Sequence, residues 1–490
     1  MSTNSGSSVN SAIRVEAAGL RDAGRQPEIP FSVTLNDGSE VVVHRLLRVL
    51  PGKRIVGEGD WNGRHVLVKL FIAGSSARHW AKERSGIDAL HHAGILTPDP
   101  LLADALQAGG HVLLTAYLEH ARSLEELWEP VSALSAGSEA ALDVLRPAFG
   151  LLGSMHAAGL TQEDLHLGNF LRCGDQVFVI DGDAVRAISP GQPLDEEQAA
   201  SNLAILLAQL PPSWDACRAV LLNAYCEWGG RRFSDASHLE NALLRVRAWR
   251  LNDFLGKSVR DCTRFAVTRS AFRFCAMQRD QAELLAPLLE APDEAILRGR
   301  FLKDGRTSTV VQVEQESRTL VIKRYNLKNL KHVLGRLWRP SRAWHSWREG
   351  HRLQFYGIST PTPLALLEER IGPLRSRAFL VNAYCPGSDL TAHLTPNSEP
   401  PGDVAQALLS LFETLCRLRI SHGDLKATNL LWHEGRVWLI DLDAMKQHRS
   451  DTAFARVWRR DRARFLRNWA ASSLLCRWLD TNLPADIELD

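Results

Sequence analysis

Apolar and polar residues alternate along the first part of the chain in the way typical of β-strands. The segment "FSVTLNDGSEVVVHRLLRVL" holds two alternating stretches around Asn36, Asp37 and Gly38, which predicts a hairpin. "RIVGEGDWNGRHVLVKLF" predicts two further strands around a glycine-containing turn, the second of which carries Lys69. The spacing becomes helical in "ARHWAKERSGIDALHHAG", which predicts a helix that ends at Gly94. A strand in "HVLLTAYL" and a mainly helical remainder follow.

The second half of the chain repeats this order of strands, one helix, strands and helices. "STVVQVEQESRTLVIKRY" and "RAFLVNAYC" predict strands, and "GDVAQALLSLFETLCRLRI" predicts a helix. The phrases "GILTPDP" and "TAYLE" return as "GISTPTP" and "NAYCP", with offsets between equivalent positions of 254 to 267 residues. Because 490 residues exceed one ordinary core, we interpret the chain as a duplicated α+β domain. The predicted boundaries are a flexible tail over 1–30, a first domain over 31–265 and a second over 266–490.

Composition narrows the class of protein. A formal net charge of +2 argues against a general nucleic-acid binder. The eight cysteines contain no Cys-x-x-Cys pair, which favours a reduced, cytoplasmic protein. The polar start "MSTNSGSSVNS" lacks the pattern of a signal peptide, and no apolar run approaches the roughly 18 residues that span a bilayer. We therefore expect any contact with a membrane to be peripheral.

Four chemical features recur in the same order in both halves. Each half has a lysine at a strand end, a glutamate in the next helix, an aspartate followed five residues later by an asparagine, and an aspartate that ends a strand. The last two aspartates are 17 residues apart in both halves. The residues are Lys69, Glu83, Asp164, Asn169 and Asp181 in the first half, and Lys323, Glu349, Asp424, Asn429 and Asp441 in the second.

These residue types suit phosphoryl transfer, in which the main task is to hold and neutralise a triphosphate beside an acceptor hydroxyl. In the second half, Asn429 and Asp441 would give Mg2+ the hard oxygen ligands that it prefers. Asp424 would take the hydroxyl proton, Lys323 would bind the inner phosphates, and Lys426 could touch the transferred phosphate. The first half offers the corresponding base, phosphate and metal candidates.

Each feature alone has an ordinary structural explanation. A lysine at a strand end is usually solvated, and an aspartate after an apolar strand more often caps the next turn. Two ordered copies with the same spacing favour a functional site over these explanations.

The segments "HGDLKATNLL" with "IDLD" and "EDLHLGNFL" with "IDGD" resemble the catalytic loop and metal-binding segment of the protein-kinase fold. With "GI-x-TP-x-P", they are similar to the lipopolysaccharide kinase (Kdo/WaaP) family. The resemblance implies two tandem protein-kinase-like bilobal domains, joined between lobes near Tyr117 and Tyr384. It also implies ATP, Mg2+ and a heptose or Kdo hydroxyl of the lipopolysaccharide core, or of a lipid A-core precursor, at the cytoplasmic face of the inner membrane.

Other functions stay open at this point. The acceptor could be a small alcohol or a protein, or the chain could be a non-catalytic pseudokinase that organises core assembly. It also stays open whether both halves act or only the second.

The two halves depart from the family pattern at different positions. In the first half, Gln162 replaces the histidine two residues before the presumed base, and His166 replaces the lysine two residues after it. In the second half, the position that aligns with Glu83 is Ser346, and Glu349, one helical turn further on, is expected to reach Lys323. Neither half has a full glycine-rich phosphate loop. "VGEGDWNG", around Gly57 and Gly59, is a partial match, and "KDGRTST" contains only Gly305.

Two basic stretches could meet an anionic, lipid-linked substrate. "YNLKNLKHVLGRLWRPSRAWHSWREGHR" mixes Arg and Lys with Trp and Leu, which suits an interfacial helix. For "ARVWRRDRARFLRNW" we favour an ordinary solvated helix face.

Overall fold

A computed structural model describes residues 12–132, 134–305, 307–326, 340–371 and 374–485. The chain divides into two compact units, one of Met1–Leu210 with Trp214–Val246 and the other of Pro211–Ser213 with Arg247–Asp490. Within the described ranges, no helix is both long enough and apolar enough to cross a membrane.

The first unit begins with a seven-stranded sheet in the order β1-β2-β3-β4-β5-β7-β6. Its strands are β1 Ile13–Arg14, β2 Phe31–Thr34, β3 Glu40–Leu50, β4 Arg54–Trp61, β5 Arg64–Phe71, β6 Pro100–Ala105 and β7 His111–Ala116. The predicted hairpins are β2–β3 and β4–β5, and Lys69 lies on β5 as expected. Strand β6, which was not predicted, pairs with β7 in antiparallel orientation.

The remainder of the first unit is mainly helical, with two small sheets, β11-β10-β8 and β12-β9. Its helices are α1 Ala17–Asp22, α2 Ser76–His92, α3 Leu124–Trp128, α4 Glu139–Ala157, α5 Glu196–Leu207, α6 Arg218–Glu227 and the first part of α7 Ala236–Lys257, with short 3-10 helices at Glu129–Val131, Leu167–Asn169 and Gly182–Ala184. The residues of α7 from Arg247 onward belong to the second unit, and the 3-10 helix Pro212–Cys217 is divided between the units after Ser213. The small strands are β8 Arg122–Ser123, β9 Leu160–Gln162, β10 Phe170–Cys173, β11 Gln176–Val179 and β12 Val185–Ala187. Helix α2 ends next to Gly94, which has the left-handed φ of 68° expected of a terminating glycine.

The second unit contains another seven-stranded sheet, in the order β13-β14-β18-β19-β17-β16-β15. Its strands are β13 Phe265–Arg269, β14 Arg273–Gln278, β15 Arg300–Asp304, β16 Ser308–Gln315, β17 Arg318–Tyr325, β18 Pro363–Ile371 and β19 Leu374–Ala383. Two small sheets follow, β20-β22-β23 and β21-β24. These strands are β20 Ser388–Asp389, β21 Ile420–Ser421, β22 Leu430–His433, β23 Arg436–Leu439 and β24 Lys446–Gln447.

Three of the described α-helices of the second unit lie between strands of its large sheet, and three follow that sheet. They are α8 Ala282–Glu290, α9 Pro292–Arg298, α10 Arg342–Phe355, α11 Gly402–Arg417, α12 Asp451–Leu466 and α13 Leu474–Asn482, with 3-10 helices at Arg279–Gln281, Leu390–Ala392, Ala427–Asn429 and Leu442–Ala444. Within the described residues, α11 has buried apolar side chains at helical spacing, Leu408, Leu411, Phe412 and Leu415, which pack it into the core of this unit.

The two units share a five-stranded arrangement and differ at its edges. The order β3-β4-β5-β7-β6 corresponds to β15-β16-β17-β19-β18, but the first unit adds strands beside β3 and the second adds them beside β18. The mixed strands and helices confirm the α+β class. The tandem duplication remains our interpretation of this shared order.

The structure differs from the predicted boundaries in two places. Residues 12–30 are not a tail, because they contain β1 and α1, whose Ala17 and Leu20 are buried against the first sheet. The second unit starts at Arg247 rather than after residue 265, because the last turns of α7 place Leu251 and Leu255 in its core. Residues 1–11 of the predicted tail lie outside the described residues.

Gly57 and Gly59 are structural glycines inside β4 and do not form a phosphate loop. β3 passes so close to β4 that a Cβ atom on Gly59 would lie 2.0 Å from the carbonyl oxygen of Val42, and one on Gly57 would lie 2.8 Å from that of Arg45. A glycine in a strand often marks such a close approach of two backbones. Gly305, in contrast, does lie in the turn between β15 and β16, where its N–H donates to the carbonyl of Ser308 at 3.1 Å.

Candidate active site

The second unit brings Asp424, Asn429 and Asp441 to one end of the β22–β23 hairpin. Leu430 pairs with Leu439 at that end, and the next residue pair continues the ladder, with the N–H of Ile440 donating to the carbonyl of Asn429 at 3.0 Å. The Asn429 amide donates to the backbone carbonyl of Asp424 at 2.9 Å and to its carboxylate at 3.3 Å. The constant 17-residue spacing therefore corresponds to one loop and one hairpin.

Two buried side chains hold the loop that carries Asp424. The Nε2 atom of His422 lies 3.0 Å from the carbonyl of Ile440, directly before Asp441. From α12, the Asp461 carboxylate accepts the backbone N–H groups of His422 at 2.7 Å and of Gly423 at 2.9 Å. Burial lowers the pKa of His422, so the imidazole is neutral at pH 7 and its Nε2–H can donate to that carbonyl.

Two cations hold the carboxylate of Asp424. Arg464 of α12 contacts Oδ1, and the Lys426 ammonium lies 3.2 Å from Oδ2. Burial acts to raise the pKa of Asp424, but the hydrogen bonds and charges of Arg464 and Lys426 outweigh it and leave the pKa below its ordinary value. The carboxylate is therefore ionised and fixed in orientation.

Lys323 joins this site from β17, but not through the predicted glutamate. Its Nζ atom lies 2.5 Å from Asp441 Oδ1 and 2.9 Å from Asp443 Oδ1. The expectation that Glu349 reaches Lys323 is wrong, because Glu349 is buried one turn along α10 and pairs there with Arg352 at 2.8 Å. A displacement of three residues moves a side chain by about 4.5 Å along a helix axis.

The first unit has the same loop geometry, but a different side chain holds the loop to the strand-terminal segment. The Asn169 amide donates to the carbonyl of Asp164 at 2.5 Å, and the N–H of Ile180 donates to the carbonyl of Asn169 at 2.9 Å. Gln162, which replaces the histidine, donates from Nε2 to the carbonyl of Ile180 at 3.0 Å. Glutamine thus makes the hydrogen bond that His422 makes in the second unit.

The predicted lysine–glutamate pair is present in the first unit. Lys69 contacts Glu83, which is fully buried, and Arg54 lies 3.6 Å from the other oxygen of Glu83. Burial, together with the negative charge of Glu83, raises the pKa of Asp181. Helix α2 lies against the backbone that follows Asp181. A Cβ atom on Gly86 would lie only 1.9 Å from the carbonyl oxygen of Gly182.

The two strand-terminal aspartates share an uncommon backbone conformation. Asp181 has φ 70° and Asp441 has φ 61°, both in the left-handed region that non-glycine residues adopt rarely. Such positions cost of order 1–3 kcal/mol and cluster at functional sites. The conformation supports a common role for the two residues.

The presumed bases differ most between the units. Among the described residues, no cation contacts the carboxylate of Asp164, which is exposed, and His166 stands where Lys426 stands in the second unit. The helix residue that holds the first loop is a neutral Asn202, which bonds the backbone N–H and carbonyl of Gln162.

Sequence reasoning missed three residues of the second site, namely Asp443, Asp461 and Arg464. Asp443 was visible as the second aspartate of "IDLD". The other two lie in the part of "ARVWRRDRARFLRNW" that belongs to α12, and that stretch was expected to be a solvated helix face. Asp461 is 2% exposed. The sequence signal that could have revealed it is a single acidic residue within a run of basic residues. Of the other basic stretch, residues 327–339 lie outside the described residues, so the interfacial helix stays a prediction.

Comparison with known proteins finds a family match for part of the chain. Residues 297–475 match the model of the lipopolysaccharide kinase (Kdo/WaaP) family, which confirms the family resemblance and supports a kinase. The first unit lies outside the matched residues. Among curated proteins, no relative matches the chain.

One solved structure that matches is titled "WaaP in complex with acyl carrier protein". It is 18% identical, covers 43% of this chain and 88% of its own, and superposes with a TM-score of 0.33. A likeness at that level adds nothing to the family match.

Proposed function

Since residues 297–475 match the model of the lipopolysaccharide kinase (Kdo/WaaP) family, we propose that the second unit transfers the terminal phosphoryl group of ATP to a heptose or Kdo hydroxyl of the lipopolysaccharide inner core. The observation that carries the proposal is the convergence of Lys323, Asp424, Asn429 and Asp441 within the matched segment. In this proposal, the acceptor is the lipopolysaccharide core or a lipid A-core precursor. The protein reaches it at the cytoplasmic face of the inner membrane, which it contacts peripherally.

Asp424 acts on the acceptor hydroxyl in this proposal. Its carboxylate, held by Arg464 and Lys426, orients the hydroxyl and accepts its proton as the oxygen attacks phosphorus. A pKa below the ordinary value makes it a weak base, which suits a loose transition state in which the proton leaves late. Lys426, whose ammonium lies beside the Asp424 carboxylate, would neutralise charge on the transferred phosphate in this proposal.

Asn429 and Asp441 would hold Mg2+. One amide oxygen and one carboxylate fit that ion, which keeps several waters and also binds the phosphates of its nucleotide. Among the described residues, no cluster of three His, Cys, Asp or Glu residues offers a more complete protein cage. The ion would supply charge neutralisation at the phosphates, while Lys323 would bind the inner phosphates.

The test uses the purified full chain with ATP, Mg2+ and lipopolysaccharide from a strain that lacks this protein. Core phosphate is measured by mass spectrometry for the wild type, Asp424→Asn and Asp164→Asn. We expect Asp424→Asn to lower the rate by about 10²- to 10⁴-fold and Asp164→Asn to leave it nearly unchanged.

The other outcomes would contradict parts of the proposal. Loss of rate only with Asp164→Asn would move the activity to the first unit. If neither substitution changes core phosphate, the enzymatic role is wrong. Parallel reactions with small alcohols and with casein detect an acceptor of another class, and ATP binding without any transfer would indicate a pseudokinase.

A further inference from the structure

The carboxylate of Asp443 is the most heavily bonded acid of the second site. Its Oδ1 atom accepts the Tyr325 hydroxyl and the Ser346 hydroxyl, each at 2.7 Å, and lies 2.9 Å from the Lys323 ammonium. Its Oδ2 atom contacts Arg342. The side chain is 11% exposed. Burial acts to raise its pKa, but the two cations outweigh this and lower it, so the group is an anion.

These four donors come from two elements that do not belong to the loop of Asp443. Lys323 and Tyr325 lie on β17, whereas Arg342 and Ser346 lie on α10. One carboxylate therefore ties the lysine strand and the helix to the segment that follows β23.

In the first unit, a different acidic residue serves as the buried counter-ion of the strand lysine. There the buried counter-ion of Lys69 is Glu83, on α2. The residue equivalent to Asp443 is Asp183, which is 28% exposed and lies 3.9 Å from His79. The helix position equivalent to Glu83 is occupied by Ser346, which instead donates to Asp443. The counter-ion of the lysine is therefore on the helix in the first unit and on the loop in the second. In the second unit, the short hydroxyl side chain of Ser346 occupies the helix position of the glutamate.

The location of this acid matters because Lys323 also contacts Asp441. A lysine with Asp441 as its sole counter-ion would compete with a divalent ion for that carboxylate. A second, permanent carboxylate holds the ammonium in the site when Asp441 is engaged by the ion.

We infer that Asp443 is the positioning residue of Lys323: it replaces the helix glutamate, holds the ammonium for the donor phosphates and leaves Asp441 free for the metal. The inference rests on the proposed function, since it concerns how that site binds MgATP.

The experiment measures transfer by Asp443→Asn, with kcat, the KM for ATP and the Mg2+ concentration for half-maximal rate determined separately. We expect the KM for ATP and the Mg2+ requirement each to rise about tenfold, the effect of losing one charge-assisted hydrogen bond, with kcat at saturation reduced much less. Asp183→Asn is the matched control in the first unit and should change neither value. Ser346→Ala removes one neutral donor and should raise both values about threefold.

The outcomes separate the two hypotheses. If the wild type transfers no phosphate, the proposed function fails. If the wild type is active and Asp443→Asn has an unchanged KM and Mg2+ requirement, the inference is wrong while the function stands. A loss confined to kcat, with both other values unchanged, also overturns it. Should Asp443→Asn not fold, Ser346→Ala decides, and unchanged values in that variant contradict the role.

Discussion

The buried carboxylate of Asp461 offers a direct test of how the loop of Asp424 is held. In Asp461→Ala, the backbone N–H groups of His422 and Gly423 lose the acceptor that lies 2.7 and 2.9 Å away. The rest of α12 is unchanged, and alanine is a good helix former, so the helix itself should persist. The perturbation is therefore local to the loop.

The magnitude follows from the two orphaned donors. A buried donor without a partner costs about 1–3 kcal/mol, so two cost about 2–6 kcal/mol. Because Gly423 is partly exposed and can reach water, we take the low end, about 2 kcal/mol, which corresponds to roughly thirtyfold faster local opening. Asp461→Asn keeps one acceptor oxygen with neutral bonds about half as strong, so its effect should be smaller, about fivefold.

Hydrogen exchange measured by mass spectrometry on overlapping peptides across residues 415–430 reports this opening. The matched control is Asn202→Ala, which removes the corresponding side chain from the first loop and should leave exchange at 415–430 unchanged. Exchange in Asp461→Ala at the wild-type rate would refute the reasoning. If Asp461→Ala and Asp461→Asn accelerate exchange equally, loss of the hydrogen-bond acceptor is not the cause of the faster opening.

Three further predictions concern other parts of the molecule. Arg464→Ala should raise the pKa of Asp424 and shift the acid limb of the pH profile of kcat/KM to higher pH; an unmoved limb contradicts this. Gly59→Ala should destabilise the first unit by about 1–3 kcal/mol in thermal melts through its clash with Val42, without changing the KM for ATP. Burial lowers the pKa of His156 from 6.5 to about 4, so the unfolded state binds its proton first. The stability of the first unit should therefore fall as pH falls from 6.5 toward 4, by up to about 3 kcal/mol, and His156→Gln should flatten that slope in urea melts.

The loop chemistry was predictable because it is local. Asp424, Asn429 and Asp441 are joined by a turn and a hairpin within one short segment, and their hydrogen bonds run between near neighbours in the chain. The repeated spacing in the first half was readable for the same reason. Gly94 terminates α2 because the position has a positive φ, which glycine adopts without steric cost.

The partners of Lys323 and Asp424 were not predictable in this way. Whether Glu349 or another acid meets Lys323 depends on how far along its axis α10 is placed beside β17, and a shift of one turn changes the answer. Arg464 reaches Asp424 because it shares a face of α12 with Asp461, three residues before it. In the sequence, both residues look like ordinary members of a basic helix.

By itself, the sequence determined the α+β class, the strands and helices with clear hydrophobic spacing, and the loop that carries Asp424 and Asn429, because these depend on that spacing and on contacts within short segments. The tertiary structure decided which acid serves each lysine: Glu83 for Lys69, but Asp441 and Asp443 for Lys323. The physical reason is that an ion pair between distant segments depends on helix placement and burial. Those are set by packing of the whole unit and leave no periodic trace in the chain.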